Sequence, residues 1–170
     1  MLGGIDGRYL CTRLGGSKYI ESITTLASPH RGSPFADWIV NLLGEDFAQF
    51  LERRGLFLSL NRLTTKGMEE FNKLVQDHPD VPVYSFGASV MKEHLIWPQR
   101  FVHQIVADKE GENDSLVSVE SSKWSNYVDT LDAEHLELIN WNRTLRKRSL
   151  AFDSPKFYLA LLHFLALQGH

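Results

Sequence analysis

The sequence predicts an α/β fold in which parallel strands alternate with helices. Runs of β-branched and aromatic residues recur along the chain, apolar residues at helical spacing lie between them, and Gly or Pro residues separate the two kinds of segment. With 170 residues, 43% of them hydrophobic, the chain can bury one core, and two independent domains would be crowded. We therefore expect a single domain over residues 1–170.

Each element follows from a local pattern. Apolar residues at helical spacing predict a first helix that ends at Gly15 and Gly16, and the β-branched run after it predicts a strand that is closed by Pro29. Ser33 as N-cap and Pro34 as first helical residue predict the start of the next helix. The remaining predictions, in chain order, are a helix at 64–76, a strand at 81–89, an extended piece at 100–107, a strand at 124–131 and a helix at 154–169.

Composition excludes several classes of protein. A formal net charge of -3 offers no basic surface for nucleic acid. The single cysteine, Cys11, excludes an internal disulfide framework. The longest apolar stretch, 157–167, is too short to span a membrane, so we expect a soluble, globular chain.

Two loops carry residues suited to hydrolytic chemistry. Asp114 lies in a turn-rich segment, and His135 follows it in the next such segment. An Asp that orients a His, with the His as general base, is two-thirds of a hydrolytic triad. One known chain order for such triads is nucleophile, acid, base, which places the nucleophile upstream of both residues.

The opening residues, MLGGIDGRYL, fit the tail of a nucleophile elbow. The elbow pattern Gly-x-Ser-x-Gly needs glycines because its sharp turn brings the backbone too close to its surroundings for side chains. In this interpretation Leu2 follows the nucleophile and Gly3 is the closing glycine. The nucleophile position is then occupied by Met1.

Together these segments resemble a lipase family of the α/β-hydrolase fold, which includes fungal intracellular triacylglycerol lipases and, more distantly, bacterial lipases. The family pattern runs roughly His-Ser-Met-Gly-Gly-Leu-Asp-x-Arg-Tyr, Thr-Pro-His-Arg-Gly-Ser, Asn-Asp-Gly-Leu-Val and Asp-His-Leu-Asp. This chain has MLGGIDGRYL, SPHRGSPFADW, NDSLVSVESSKW and EHLELINW in the same order. The resemblance covers nearly the whole chain and implies the C-terminal strands and helices of a mostly parallel α/β-hydrolase sheet.

The resemblance implies a role for individual residues. Asp114 matches the triad acid, His135 the triad base, and the backbone N–H of Leu2 one donor of the oxyanion hole. The chain departs from the pattern at Ser115, where the family has Gly, and at Met1, where it has the nucleophilic Ser. The resemblance thus implies the C-terminal portion of a serine lipase or esterase that acts on acylglycerol or other carboxylic esters, needs no cofactor, and is inactive as written because its nucleophile and preceding strands are missing.

Three further residues have a structural interpretation. His30 matches a residue that shapes the loop after a strand, and Arg31 is expected to meet a nearby carboxylate. Glu137 matches a position that helps to bind calcium in bacterial relatives. Because calcium takes six to eight oxygen ligands, one carboxylate does not make a site, and we expect no metal.

The segment at about 33–76 is rich in Phe and Leu and has two interpretations. It is either a cap whose apolar underside receives acyl chains and whose outer face meets a lipid surface, or a set of amphipathic helices packed on the sheet. Two functions also stay open: an ester hydrolase, and a non-catalytic truncated product or pseudoenzyme that binds lipid or protein. Similar fungal lipases suggest an intracellular setting, in the mitochondrion or cytoplasm.

Overall fold

The computed structural model describes residues 2–54, 60–141 and 152–170, and within them strands alternate with helices. The elements are α1 (Gly3–Arg13), β1 (Ile23–Leu26), α2 (Pro34–Leu43), α3 (Glu45–Arg53), α4 (Thr65–Leu74), β2 (Val83–Ser89), α5 (Trp97–Glu110), α6 (Val119–Ser122), β3 (Asn126–Asp132) and α7 (Ser154–Gln168). Short 3-10 turns lie at Gly16–Lys18, Asn61–Leu63, Lys92–His94 and Glu137–Ile139. The predicted α/β class is confirmed.

The three strands form one parallel sheet in the order β1-β2-β3. Ile23 of β1 lies opposite Val83 of β2, and Tyr84 of β2 lies opposite Asn126 of β3. Helices occupy both crossovers, as parallel strands require. Since the strands share one direction, the loops that follow them gather at one edge of the sheet, where α/β proteins place functional groups.

Local signals explain why the helices begin where they do. Ser33 caps α2 by accepting a hydrogen bond from the N–H of Phe35, and Pro34 takes the first helical position, as predicted. α7 begins at the predicted Ser154, although its capping side chain belongs to Asp153, which accepts from the N–H of Lys156. None of the helices within the described ranges is long and apolar enough to cross a membrane.

The extended piece predicted at 100–107 is wrong, because this segment is the middle of α5. Its apolar residues also fit a helical face, on which His103 and Val106 are buried, and a short apolar run cannot distinguish the two periods. Flanking signals decide the outcome. Pro98 lies in the first turn, and Gly111, at φ 80°, ends a helix that is longer than a typical strand.

The core joins the carboxyl ends of the strands to α7. Ala27, Ala88, Ala133 and Leu138 form a buried cluster at the carboxyl ends of the strands, with Ala88 inside β2 and the other three after β1 or β3. On the sheet itself, the ring of Phe86 meets the rings of Phe157 and Phe164 of α7 edge-on, at centroid distances of 5.6 and 6.2 Å. The residues that follow each strand therefore rest on packed side chains.

The segment at 33–76 contains α2, α3 and α4. α2 packs against α5, where the ring of Trp38 meets that of Phe101 edge-on at 5.4 Å. The end of α4 lies beside α1, because Arg8 donates to the side chain of Asn72 and to the carbonyl of Val75. The helical content agrees with either interpretation of this segment, and its role as a cap remains a prediction.

A close approach between α1 and β1 makes Gly4 a test of this packing. A Cβ at Gly4 would lie 2.8 Å from Cγ2 of Thr25 and would also strike Oγ of Ser28. We expect Gly4→Ala to lower the free energy of unfolding by about 1–3 kcal/mol, the usual cost of overpacking. Urea denaturation at a constant m-value measures the change.

The adjacent Gly3 provides the matched control, because a Cβ there meets no described atom within 4 Å. Gly3→Ala should leave the denaturation midpoint unchanged or slightly raised, since alanine favours the helix. Equal effects of the two substitutions would contradict the packing of α1 on β1.

Candidate active site

The structure brings Asp114 and His135 together on adjacent loops. Nδ1 of His135 lies 2.6 Å from Oδ2 of Asp114, and the backbone N–H of His135 donates to the carbonyl of Asp114 at 3.0 Å. Because a carboxylate only accepts hydrogen bonds, the contact places the proton on Nδ1 and leaves the lone pair of the neutral ring on Nε2. An imidazole held in this tautomer has the arrangement of a general base with its orienting acid.

The carboxylate of Asp114 is fully buried and its second oxygen is satisfied by the backbone. Oδ1 accepts from the N–H groups of Leu116 and Val117, at 3.0 and 2.8 Å. The preceding residue, Asn113, accepts from the N–H of Ser115 at 2.9 Å and so stabilises the same turn. Three hydrogen bonds thus hold the carboxylate in one orientation, which compensates for its removal from water.

His135 follows β3 on a loop that packs on the core cluster, since its neighbours Ala133 and Leu138 belong to that cluster. The side chain is 11% exposed, so part of it meets solvent. Within the described ranges, no hydroxyl group hydrogen-bonds to Nε2 of His135. The ring therefore has one nitrogen fixed by the acid and one available to a reacting group.

Leu2 stands at the start of α1, where its carbonyl accepts from the N–H groups of Ile5 and Asp6. Its own N–H belongs to the first turn, where backbone donors have no partner within the helix and the helix dipole is positive. Such a donor suits an oxyanion. The proposed nucleophile position, Met1, lies outside the described residues.

Glu134 and Ser115 are site residues whose roles the sequence did not indicate. The Ser115 hydroxyl donates to Oε1 of Glu134 at 3.1 Å, directly beside the contact between Asp114 and His135. Glu134 is 1% exposed, and its burial raises the pKa of the carboxyl above the usual range. A carboxyl that follows a strand and precedes a candidate base is the signal that could have identified it.

The carboxylate of Glu137 binds backbone groups of the protein. Glu137 is buried, and its carboxylate accepts from the backbone N–H groups of Glu134 and Phe152. It thereby ties the loop of His135 to the start of α7. Across the part of the chain that the structure describes, no group of three or more His, Cys, Asp or Glu side chains could hold a metal ion.

His30 is enclosed by the side chains of Arg8, Thr25 and Trp124. Nδ1 of His30 accepts from Arg8 at 3.4 Å, which leaves Nε2–H to donate to Thr25 Oγ1 at 3.1 Å, and the ring stacks on Trp124. Burial, with a smaller contribution from Arg8, lowers the pKa of His30 from 6.5 to about 3. A neutral, fully enclosed ring suits a residue that shapes its loop, and this role of His30 remains a prediction.

Arg8 and Trp124 connect this loop to the helices around it. The Arg8 guanidinium is buried, donates to Asp77 Oδ1 at 2.7 Å and lies 4.0 Å above the ring of Trp124. The Trp124 indole N–H donates to the other oxygen of Asp77, also at 2.7 Å. Arg31 meets backbone rather than the expected carboxylate, since it donates to the carbonyl of Lys123 at 2.6 Å.

A cavity with a volume of about 740 Å³ lies between α2, α4 and α5. Its lining includes Trp38 and Val40, but also Asp37, Glu70 and Glu110. Neither Asp114 nor His135 lines it. The cavity is therefore a separate feature from the acid–histidine pair, and its charged wall differs from the apolar underside expected of a cap.

Solved structures share this fold. The structure superposes on the mature lipase BlEst2 of Bacillus licheniformis with a TM-score of 0.57 at 22% identity, covering 79% of this chain and 55% of that one. For lipase 1 of Pelosinus fermentans the TM-score is 0.64 at 16% identity, covering 96% of this chain and 69% of that one. The fold is that of lipases of the α/β-hydrolase type.

The sequence itself gives a more specific match. It is 35% identical to Triacylglycerol lipase 2 of Saccharomyces cerevisiae over an alignment that is 183 positions long. The alignment covers 99% of this chain and 56% of the yeast protein, so the chain spans little more than half of that relative's length. No family model matches the chain. The resemblance to lipases of the α/β-hydrolase fold is thus confirmed.

The buried, neutral His30 predicts a specific loss of stability in acid. The unfolded chain binds a proton at this residue near pH 6.5, whereas the folded chain resists it until about pH 3, so stability falls as the pH drops through this range. Relative to His30→Gln, the wild type should lose at most about 1.4 kcal/mol per pH unit below pH 6.5. Denaturant unfolding at several pH values measures the two curves.

His163 of α7 provides the control, because its exposed ring meets solvent in the folded chain as well. His163→Gln should leave the pH dependence of the wild type in place. Parallel curves for wild type and His30→Gln would show that His30 is not buried as a neutral ring.

Proposed function

We propose that this chain carries the acid–base half of a serine ester hydrolase, with Asp114 as the acid and His135 as the base. The observation that carries the proposal is the 2.6 Å contact between the buried Asp114 carboxylate and Nδ1 of His135. The yeast relative is named a triacylglycerol lipase, which favours acylglycerols or related carboxylic esters as substrates. This chemistry needs neither a metal nor a cofactor.

In the proposed reaction His135 carries one proton from the serine hydroxyl to the departing alcohol. Because Nδ1–H is fixed on Asp114, Nε2 of His135 takes the proton of a serine hydroxyl as the oxygen attacks the ester carbonyl. The buried carboxylate then stabilises the imidazolium, which returns the proton to the departing alcohol. Water attacks the resulting acyl-enzyme by the same route, with His135 again as the base.

We place the nucleophile at the position before Leu2, by the pattern Gly-x-Ser-x-Gly. There the serine oxygen would stand at the start of α1, and the Leu2 N–H would hold the oxyanion at the positive end of the helix dipole. In the sequence as written this position is Met1, whose thioether has no proton for His135 to remove. We therefore propose that the chain corresponds to the C-terminal portion of a lipase and that, as written, it does not hydrolyse esters by this route.

We further propose one partial domain over residues 1–170, in which the segment at 33–76 is the cap-like insertion. Three large apolar side chains of α2 and α3 are exposed: Leu42, Phe47 and Phe50. Exposed aromatic and aliphatic side chains on neighbouring helices suit peripheral contact with a lipid surface. This observation favours a lipid-facing outer surface for the insertion.

A paired assay on a soluble short-chain ester tests the proposed chemistry. One arm uses the chain as written, and the other uses a form extended upstream through a strand and a serine directly before Leu2. We expect turnover only in the extended form, because loss of a triad nucleophile costs on the order of a millionfold in a well-studied serine protease. His135→Ala should abolish that turnover, and Asp114→Asn should reduce it about 10⁴-fold.

His163→Ala is the matched control, since this histidine is exposed on α7. It should retain the activity of the extended form. A folded extended form without activity would instead support a non-catalytic protein that binds lipid or another protein. Turnover by the chain as written would refute the placement of the nucleophile before Leu2.

A further inference from the structure

The acid loop and the histidine loop are joined by a second side-chain contact beside the first. Ser115, the neighbour of Asp114, donates its hydroxyl to Oε1 of Glu134, the neighbour of His135, at 3.1 Å. Both side chains are almost completely buried, at 2% and 1% exposed. The two loops are therefore linked by two adjacent residue pairs, of which only one contains the proposed acid and base.

The backbone of Ser115 shows that this contact is maintained against a conformational preference. Its φ is 83°, in the left-handed region that favours glycine, and the family pattern has glycine at this place. A non-glycine residue persists in such a conformation only where its surroundings determine it. Here the N–H of Ser115 donates to Asn113 and its hydroxyl to Glu134, so both groups have a partner in the observed conformation.

The Glu134 carboxylate makes hydrogen bonds to both loops near His135. One oxygen accepts from the Ser115 hydroxyl on the acid loop, and the other accepts from the N–H of Leu136 at 3.0 Å. The backbone N–H of Glu134 donates in turn to Glu137 at 2.9 Å. The side chain of Glu134, which precedes His135, thus binds Leu136, which follows it. The same carboxylate binds Ser115 on the loop that carries Asp114.

We propose that Ser115 and Glu134 form a positioning pair that holds His135 against Asp114, in place of the glycine of the family pattern. This inference rests on the proposed function, because its purpose is to keep the base in line with the acid. Neither side chain needs to touch the substrate. Loss of the pair should let the histidine loop shift relative to the acid, and a displacement of about 1 Å can cost roughly 10²-fold in rate.

The variant Ser115→Gly tests the pair without an unfavourable backbone change, because glycine accepts a φ of 83°. The measurement on the 170-residue chain is the NMR resonance of the His135 Nδ1 proton, which a short bond to a carboxylate moves far downfield. We expect Ser115→Gly to shift this resonance upfield or to abolish it. An unchanged resonance in the folded variant would overturn the proposal.

Ser125→Gly is the matched control, because Ser125 is an exposed serine that also has a positive φ, of 45°. It relieves the same kind of backbone conformation and should leave the His135 resonance unchanged. If both variants moved the resonance equally, relief of backbone strain rather than loss of the hydroxyl would be the cause, and the proposal would fail.

Substitutions of Glu134 test the other side of the contact. In Glu134→Gln, the amide can donate to the Ser115 hydroxyl while its oxygen accepts from Leu136, so the resonance should be retained. In Glu134→Ala both bonds are lost, and the resonance should be lost with them. Retention of the resonance in Glu134→Ala, or its loss in both variants, would refute a positioning role based on these hydrogen bonds.

The extended chain separates this inference from the proposed function. There Ser115→Gly should lower kcat about 10- to 100-fold and leave KM nearly unchanged, because the hydroxyl positions the base and does not bind substrate. If the extended wild type has no activity, the proposed function fails, and the NMR comparison still decides whether Ser115 and Glu134 position His135. If it is active and Ser115→Gly retains full kcat, the positioning pair alone is refuted.

Discussion

The burial of the Asp114 carboxylate is the constraint on which the candidate site depends. Removing an ionised carboxylate from water costs several kcal/mol unless hydrogen bonds replace its hydration. The backbone of the turn at 114–117 supplies two of these bonds and His135 supplies the third. The loop after β3 must therefore approach the loop after α5, and Ser115 and Glu134 maintain that approach from the neighbouring positions.

A second buried charge, that of Arg8, links α1 to the helical segment at 33–76. Arg8 lies on α1, six residues after Leu2, and its guanidinium is satisfied by Asp77, Asn72 and the carbonyl of Val75 at the end of α4. Burial lowers the pKa of this guanidinium, while Asp77 opposes the shift, so the buried cation depends on its partner. The helix that would present the oxyanion donor is thus fixed to the segment at 33–76.

Much of the fold could be predicted from the sequence because its signals are local. The Ser33 cap, Pro34 and the β-branched strands act on their own residues, and the spacing of Asp114 and His135 within four ordered motifs identified the pair that the structure brings together. The segment at 100–107 was misassigned because its apolar pattern fits two periods. Arg8 and Glu134 were missed because a charged residue is buried only by partners distant in sequence, which no local pattern contains.

The most direct measurement of the central claim is a crystal structure of the upstream-extended chain after reaction with a serine-directed phosphonate. The account predicts a phosphorus bonded to the serine directly before Leu2. It also predicts that His135 Nε2 lies within hydrogen-bond distance of that serine oxygen and that the Leu2 N–H donates to the phosphonyl oxygen. Phosphorus on another side chain, or an Nε2 of His135 that faces away from the adduct, would contradict the account.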